Sequence, residues 1–90
     1  MAKRVQAYYA GDVQGVGFRY AASSVAKRYP VTGFVKNLYD GRVEIVAEGE
    51  ERDLKDFLSE VKDKMRIFRF TDSVSWLEPT GEFDSFRIAL

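Results

Sequence analysis

The most informative feature of this sequence is what it lacks. It contains no cysteine and no histidine, and its 14 basic and 14 acidic side chains cancel to a formal net charge of zero. A chain that folds without disulfides suits a reducing compartment, so we expect the protein to be cytoplasmic. Without histidine, the commonest general base and the commonest transition-metal ligand are both missing. Any catalysis must use other groups, and we expect no metal and no cofactor.

Two further absences concern partners. No apolar run approaches the roughly 18 residues of a membrane span, and residues 1–5 carry no apolar core of a signal peptide. A net charge of zero gives no overall field that would attract nucleic acid or an anionic membrane. We therefore expect neither as a partner, and we expect a monomer that binds small anions locally.

The spacing of apolar residues predicts five strands and two helices in one domain that spans residues 1–90. Alternating apolar residues predict strands, and apolar residues at every third or fourth position predict helices. In chain order the predicted elements are a strand at 5–9, a helix at 18–29, strands at 31–38 and 42–48, a helix at 50–64, and strands at 67–78 and 86–90. This β-α-β-β-α-β order is that of the ferredoxin-like α+β sandwich, in which two helices cover one face of an antiparallel sheet.

Local signals predict where several elements end. Pro30 disfavours helical backbone at the residue before it, and the sequence Tyr39-Asp40-Gly41 is typical of a hairpin turn. Gly49 is expected to close the third strand, and Pro79-Thr80-Gly81 to form the turn before the last strand. Trp76 and the phenylalanines are expected to lie in the core or to be half-buried.

Residues 11–19, GDVQGVGFR, have the features of an anion-binding loop. Their three glycines allow consecutive N–H groups to point into one concavity without Cβ clashes. The helix that follows adds unpaired N–H groups and the positive end of its dipole. Arg19 lies in the first helical turn, where a cation is unfavourable unless an anion binds beside it, and its planar guanidinium suits two phosphate oxygens. The spacing matches neither a dinucleotide fingerprint nor a Walker loop, so an ordinary turn is the alternative.

Two stretches together resemble the acylphosphatase family. The first is GDVQGVGFR at 11–19, and the second is GFVKN at 33–37, followed at the family's spacing by Asp40-Gly41, Val43 and Gly49. The resemblance extends over the whole chain in length and element order. It implies an enzyme that hydrolyses the carboxyl–phosphate bond of small acylphosphates and releases a carboxylate and inorganic phosphate, which also binds as a competitive ligand.

The resemblance also implies roles for particular residues. Arg19 and Asn37 would be catalytic, with Arg19 holding the phosphate and Asn37 orienting the attacking water. The residues that would bind the phosphate, mainly through their backbone amides, are Gln14, Gly15, Val16, Gly17, Phe18 and Arg19. An amide oxygen at position 37 can accept a hydrogen bond from water without adding a negative charge near the phosphoryl oxygens, although an asparagine here also fits a turn cap.

Asp12 is an acidic residue in the predicted anion-binding loop, and it bears on which of several functions the chain has. A carboxylate beside an anion site opposes binding unless it points to solvent or pairs with a cation such as Lys36. Asp12 therefore favours one alternative, a phosphate- or partner-binding module of the same fold without turnover. A second is the carbamoyl-phosphate domain of hydrogenase-maturation proteins, where proline typically follows the arginine, whereas Tyr20 follows it here. A third, an RNA-binding domain, lacks the expected aromatic motif and basic face.

Overall fold

The computed structural model describes all 90 residues as a five-stranded sheet covered on one face by two helices. The strands are β1 (Ala2–Gly11), β2 (Thr32–Asn37), β3 (Val43–Glu50), β4 (Phe70–Leu77) and β5 (Phe86–Ile88), and the helices are α1 (Phe18–Ala26) and α2 (Glu51–Lys64). The chain order is β-α-β-β-α-β followed by a short fifth strand, so the predicted ferredoxin-like α+β fold is confirmed. Neither helix is long and apolar enough to cross a membrane.

The sheet is mixed, whereas the sequence predicted a wholly antiparallel one. Its strand order is β4-β1-β3-β2-β5, and only the pairing of β2 with β5 is parallel. The segment 78–85 leaves β4 at one edge of the sheet and reaches β5 at the opposite edge. A parallel pair requires a crossover between its strands and cannot be closed by a tight turn, so no local signal in the sequence indicated this pairing.

The core lies between the helices and the inward-facing residues of the central strands. Buried and less buried residues alternate along β1, as expected for a strand with one covered face. The core residues on these elements include Val5, Ala7 and Tyr9 of β1, Val35 of β2, Val43, Ile45 and Ala47 of β3, Phe18, Ala22 and Val25 of α1, and Leu54, Phe57 and Val61 of α2. The apolar stripes that predicted the two helices therefore face the sheet.

The register of the sheet brings the ends of β1 and β2 together. Val43 of β3 pairs with Tyr9 of β1 on one side and with Asn37 of β2 on the other. Directly opposed residues share a face of the sheet, so all three side chains point to the helix side. The chain that leaves β1 after Gly11 therefore starts close to Asn37, and α1 follows on the same face.

Several element ends differ from the predictions. Helix α1 ends at Ala26 and not at residue 29, because the N–H groups of residues 28 and 29 donate to carbonyls three residues back and tighten the chain before Pro30. Gly49 does not close β3, since it continues the pairing with β1 for one more residue. Strand β1 is longer than predicted, and β4 and β5 are shorter.

The prediction that Trp76 is buried or half-buried is wrong. Its exposed fraction is 41%, and that of Val74 on the same face is 40%. Both lie opposite buried residues of β1, but β4 is an edge strand, and α2 packs over β1 and β3 instead. The ammonium of Lys55 on α2 lies 6.0 Å from the centre of the Trp76 ring. The phenylalanines follow the prediction, since each is buried or half-buried.

Candidate active site

The loop between β1 and α1 takes its shape from glycines at two positions. Gly15 and Gly17 have φ angles of 75° and 82°, in the left-handed region that other residues rarely adopt. Beyond the adjacent residues, a Cβ atom on either glycine would meet no atom within 4 Å. The clash that these two glycines avoid is therefore the local one between a Cβ and the adjacent backbone at positive φ. At Gly11 the clash is with a distant segment, because a Cβ there would lie 2.5 Å from the carbonyl oxygen of Arg69.

The loop and the first turn of α1 present a run of unpaired backbone donors. The N–H groups of residues 14–20 donate to no acceptor in the protein. Helix α1 has no acidic side chain in its first turn, whereas α2 has Glu51 and Asp53 there. The positive end of the α1 dipole is therefore not neutralised by the helix itself, and successive free N–H groups are typical of an anion-binding nest.

Two side chains complete this concavity, whose volume is about 240 Å³. Its lining residues are Val13, Gly15, Gly17, Phe18, Arg19, Tyr20 and Asn37. Arg19 forms no ion pair and no hydrogen bond. The Oδ1 atom of Asn37 is buried and has no hydrogen-bond partner, which is unfavourable for an amide oxygen. The residues that line this cavity therefore include one with an unpaired cation, one with an orphaned acceptor and several with free N–H groups.

The structure brings most of the predicted site residues together. Those that line the cavity are Gly15, Gly17, Phe18, Arg19 and Asn37. Val16 packs its side chain against the core, so only its backbone can take part. Gln14 also has a free N–H, but its side chain does not line the cavity and donates instead to the carbonyls of Leu38 and Arg42.

Sequence reasoning missed two residues of the cavity. Tyr20 forms part of the wall and is 72% exposed. The sequence feature that could have indicated it is that Tyr20 is an aromatic residue next to Arg19 and lies off the apolar stripe of α1. Val13 is 1% exposed and anchors the loop in the core. The sequence feature that could have indicated it is that Val13 is one of two valines in a stretch otherwise made of glycine and polar residues before the helix.

Of the two arrangements that would relieve the conflict at Asp12, the structure shows exposure to solvent and not pairing with Lys36. It is exposed, does not line the cavity and forms no ion pair. Lys36, the suggested partner, lies 4.0 Å from Glu44 instead. The carboxylate of Asp12 is therefore in contact with solvent, where its effect on a bound anion is screened.

Three ionisable side chains on the strands and turn near the loop have shifted pKa values, and each shift is away from pH 7. The backbone N–H and the guanidinium of Arg42 lower the pKa of Asp40. Burial raises the pKa of Tyr9, and burial together with the charge of Glu44 raises that of Tyr8. No group of three or more acidic side chains is arranged to hold a metal ion.

A larger depression of about 380 Å³ lies beside β5 and shares no lining residue with the cavity at Arg19. Its lining includes the carboxylates of Glu82 and Asp84 as well as Arg87. Two carboxylates among these lining residues disfavour a bound anion. The cavity at Arg19 is therefore the better anion site despite its smaller volume.

The fold and this cavity define a class of protein, a small α+β sandwich whose first loop presents amide donors, an arginine and an asparagine to an anion. The family model that matches residues 5–88 of the chain is described as acylphosphatase. The chain therefore belongs to the acylphosphatase family, and this membership supports acylphosphatase activity.

Individual relatives agree with this assignment. An acylphosphatase of Caldanaerobacter subterraneus subsp. tengcongensis is 43% identical over 98% of this chain and 99% of its own length. The crystal structure of acylphosphatase from Bacillus subtilis matches with a TM-score of 0.89 and 37% identity over the whole of both chains. Full-length HypF in its phosphate- and nucleotide-bound form matches 99% of this chain with a TM-score of 0.85 and 29% identity, but the matched part is 12% of that protein.

Proposed function

We propose that this protein is an acylphosphatase, which hydrolyses the carboxyl–phosphate bond of a small acylphosphate to a carboxylate and inorganic phosphate. One observation carries the proposal: one cavity is lined by residues with free N–H groups, by the unpaired Arg19 and by Asn37, whose amide oxygen has no partner. The donors suit phosphoryl oxygens, and the acceptor suits a water molecule. Inorganic phosphate binds as product and competitive ligand, and the reaction involves no nucleic acid, membrane, metal or cofactor.

The phosphoryl group is held by charge and geometry. The N–H groups of residues 14–20 donate to its oxygens, and the guanidinium of Arg19 donates to two of them at once. Gly15 and Gly17 allow the loop backbone to adopt this conformation before the substrate arrives, so the donors need little reorganisation during the reaction. They stabilise the negative charge that the phosphoryl oxygens carry in the transition state.

The attacking water is placed by Asn37. Its Oδ1 accepts a hydrogen bond from the water, so a lone pair of the water oxygen points at phosphorus. As the bond from water oxygen to phosphorus forms, the bond from phosphorus to the acyl oxygen breaks, and its electron pair leaves with the carboxylate. The proton of the water passes to a phosphoryl oxygen. The leaving carboxylate needs no proton at neutral pH, because carboxylic acids ionise well below pH 7.

A phosphate-release assay with acetyl phosphate tests the proposal. We expect turnover in the wild type, none in Arg19→Ala, and no recovery in Arg19→Lys, because an ammonium cannot donate in the planar, two-pronged way of a guanidinium. Arg28→Ala is the matched control, since Arg28 follows α1, is exposed and pairs with Glu60 away from the cavity. If the wild type binds inorganic phosphate but releases none from acetyl phosphate, the protein is a binding module and the proposal is wrong.

A further inference from the structure

Gln14 makes a contact that phosphate binding alone does not explain. Its side-chain Nε2 donates to the carbonyl oxygens of Leu38, at 2.8 Å, and Arg42, at 2.9 Å. These two residues flank the turn between β2 and β3, and Leu38 directly follows Asn37. Both hydrogens of the amide are therefore used on the hairpin that carries Asn37.

The rest of the phosphate loop, which we define as residues 12–17, has no comparable tie to that hairpin. The N–H of Asp12 fixes its start by donating to Arg69, at 2.8 Å, and the N–H of Ala21 fixes its end by donating to Gly17, at 3.0 Å. No other hydrogen bond joins the phosphate loop to β2, β3 or the turn between them. The Gln14 amide is the one hydrogen-bonded link between the phosphate loop and the strand end at Asn37.

In the proposed reaction, the link through Gln14 connects the two segments that position the reactants. The phosphate loop and Arg19 hold the phosphorus atom, whereas Asn37 holds the water, so the two reactants are positioned by separate segments of the chain. A misplacement of about 1 Å can lower a rate on the order of a hundredfold. The Asn37 amide oxygen has no hydrogen bond of its own. Its position therefore depends on the backbone, which Gln14 fastens at the next residue.

We propose that Gln14 is a positioning residue that sets the distance between the bound phosphate and Asn37 by clamping the phosphate loop onto two carbonyls of the hairpin. This inference rests on the proposed function. Changing the Gln14 side chain leaves every backbone donor and Arg19 in place. It therefore lowers turnover much more than it weakens phosphate binding.

Gln14→Met tests this role because it removes the amide and keeps the length of the side chain. Gln6→Met is the matched control, since the Gln6 amide donates to Glu44, at 2.9 Å, on the opposite face of the sheet. For acetyl phosphate we expect kcat to fall at least about tenfold in Gln14→Met, while inhibition by inorganic phosphate changes less than about threefold. Gln6→Met should keep the wild-type kcat. Unchanged kcat in Gln14→Met, or equal losses of kcat and phosphate binding, would overturn the inference.

A double-mutant cycle tests whether Gln14 acts through Asn37. If it does, Gln14→Met lowers kcat little further once Asn37 is already alanine. Losses that multiply in the double variant would show that the two residues act independently, and the positioning role would be wrong.

A measurement without turnover separates this inference from the proposed function. Added inorganic phosphate should shift the backbone N–H signals of residues 14–20 in NMR spectra of both wild type and Gln14→Met. It should shift the side-chain amide signal of Asn37 in the wild type only. If the wild type releases no phosphate from acetyl phosphate, the proposed function fails, and these spectra still test the link. Equal responses of Asn37 in both proteins, or no response in either, would overturn it.

Discussion

Asn37 shows how a single side chain acquires a role from the groups around it. The sequence allows it to cap the turn or to hold water. In the structure Asp40 caps the turn, since its Oδ1 accepts a hydrogen bond from the N–H of Arg42, at 3.1 Å, and its Oδ2 accepts one from Arg42 Nε, at 2.7 Å. Asn37 lines the cavity with Arg19, and its Oδ1 has no partner. The turn therefore does not need Asn37 as its cap, which supports the role that we propose for it.

Asn37→Ala should separate catalysis from binding. A residue that holds the water contributes to the transition state and little to the ground state, so we expect kcat to fall on the order of a hundredfold. Inhibition by inorganic phosphate and the thermal unfolding midpoint should stay close to wild type, because the Asn37 oxygen makes no hydrogen bond in the folded chain. Asn37→Asp keeps an oxygen acceptor but adds a charge, and should weaken phosphate inhibition as well. A large loss of stability in Asn37→Ala would instead identify a structural role.

Asp12→Lys should have a small effect that depends on salt. Asp12 is exposed and outside the cavity lining, so reversing its charge acts on a bound anion only through solvent. At low ionic strength we expect inorganic phosphate to inhibit up to about threefold more tightly, and at about 1 M salt the gain should vanish. Asp56→Lys on α2 is the control for net charge. A larger gain that survives high salt would mean that the Asp12 carboxylate lies against the phosphate.

At the scale of elements, the sequence predicted the parts of the fold and of the site that short stretches of residues determine. Glycines mark the phosphate loop, the helical stripe begins at Phe18, and the alternation through Val35 places Asn37 on the covered face of β2. The Gln14 contacts with the hairpin could not be predicted, because they join segments that are distant in the sequence. The exposure of Trp76 could not be predicted either, since edge and central strands share the same period of two.

The crossover segment 78–85 is held on the open face of the sheet by Glu48. This carboxylate of β3 is 6% exposed and accepts hydrogen bonds from the N–H groups of Thr80, at 2.8 Å, and Gly81, at 2.9 Å, and from Arg4, at 2.8 Å. Burial disfavours its charged form, but these hydrogen bonds outweigh burial and lower the pKa of Glu48. The ionised carboxylate therefore stabilises the connection that brings β5 beside β2.

Glu48→Gln should lower stability in a way that depends on pH. Loss of hydrogen bonds to a charged group costs about 2 kcal/mol, which for a domain of this size corresponds to a fall of roughly 10 °C in the unfolding midpoint. A carboxyl whose pKa is lowered by folding stabilises above its unfolded pKa, near 4.5, and loses that effect as pH falls through the folded pKa. The difference in unfolding midpoint between wild type and Glu48→Gln should therefore be largest near neutral pH and should become smaller in acid.

Glu50→Gln is the matched control for this measurement. Glu50 lies two residues further along β3, but it is exposed and contacts only the N-terminal amino group. Its replacement should leave the unfolding midpoint almost unchanged at every pH. If the difference in unfolding midpoint between wild type and Glu48→Gln stays constant or increases in acid, the hydrogen bonds of Glu48 do not depend on its ionisation.

At the scale of the whole molecule, the electrostatic environment of a ligand depends on local ion pairs and not on an overall field of the protein. The chain is formally neutral, and it has no histidine to change charge near pH 7. On the open face of the sheet, Arg4 pairs with Glu48 and Glu82, and Lys36 lies near Glu44. Arg19 has no such partner. An anion in this cavity therefore meets an unpaired guanidinium together with the free N–H groups of the loop.

This arrangement predicts how hydrolysis responds to pH and to metal removal. The proposed machinery consists of backbone N–H groups, a guanidinium and an amide, and it includes no histidine, thiol or carboxylate that could act as a general base. The pKa of Asp40 is lowered, and those of Tyr8 and Tyr9 are raised, so these neighbours keep one charge state between about pH 5 and 8. Hydrolysis of acetyl phosphate should therefore vary only shallowly with pH between these limits and should survive excess chelator. A steep sigmoid near neutral pH that moves when one carboxylate is mutated, or activity lost to chelator and restored by a divalent metal, would mean that another group activates the water.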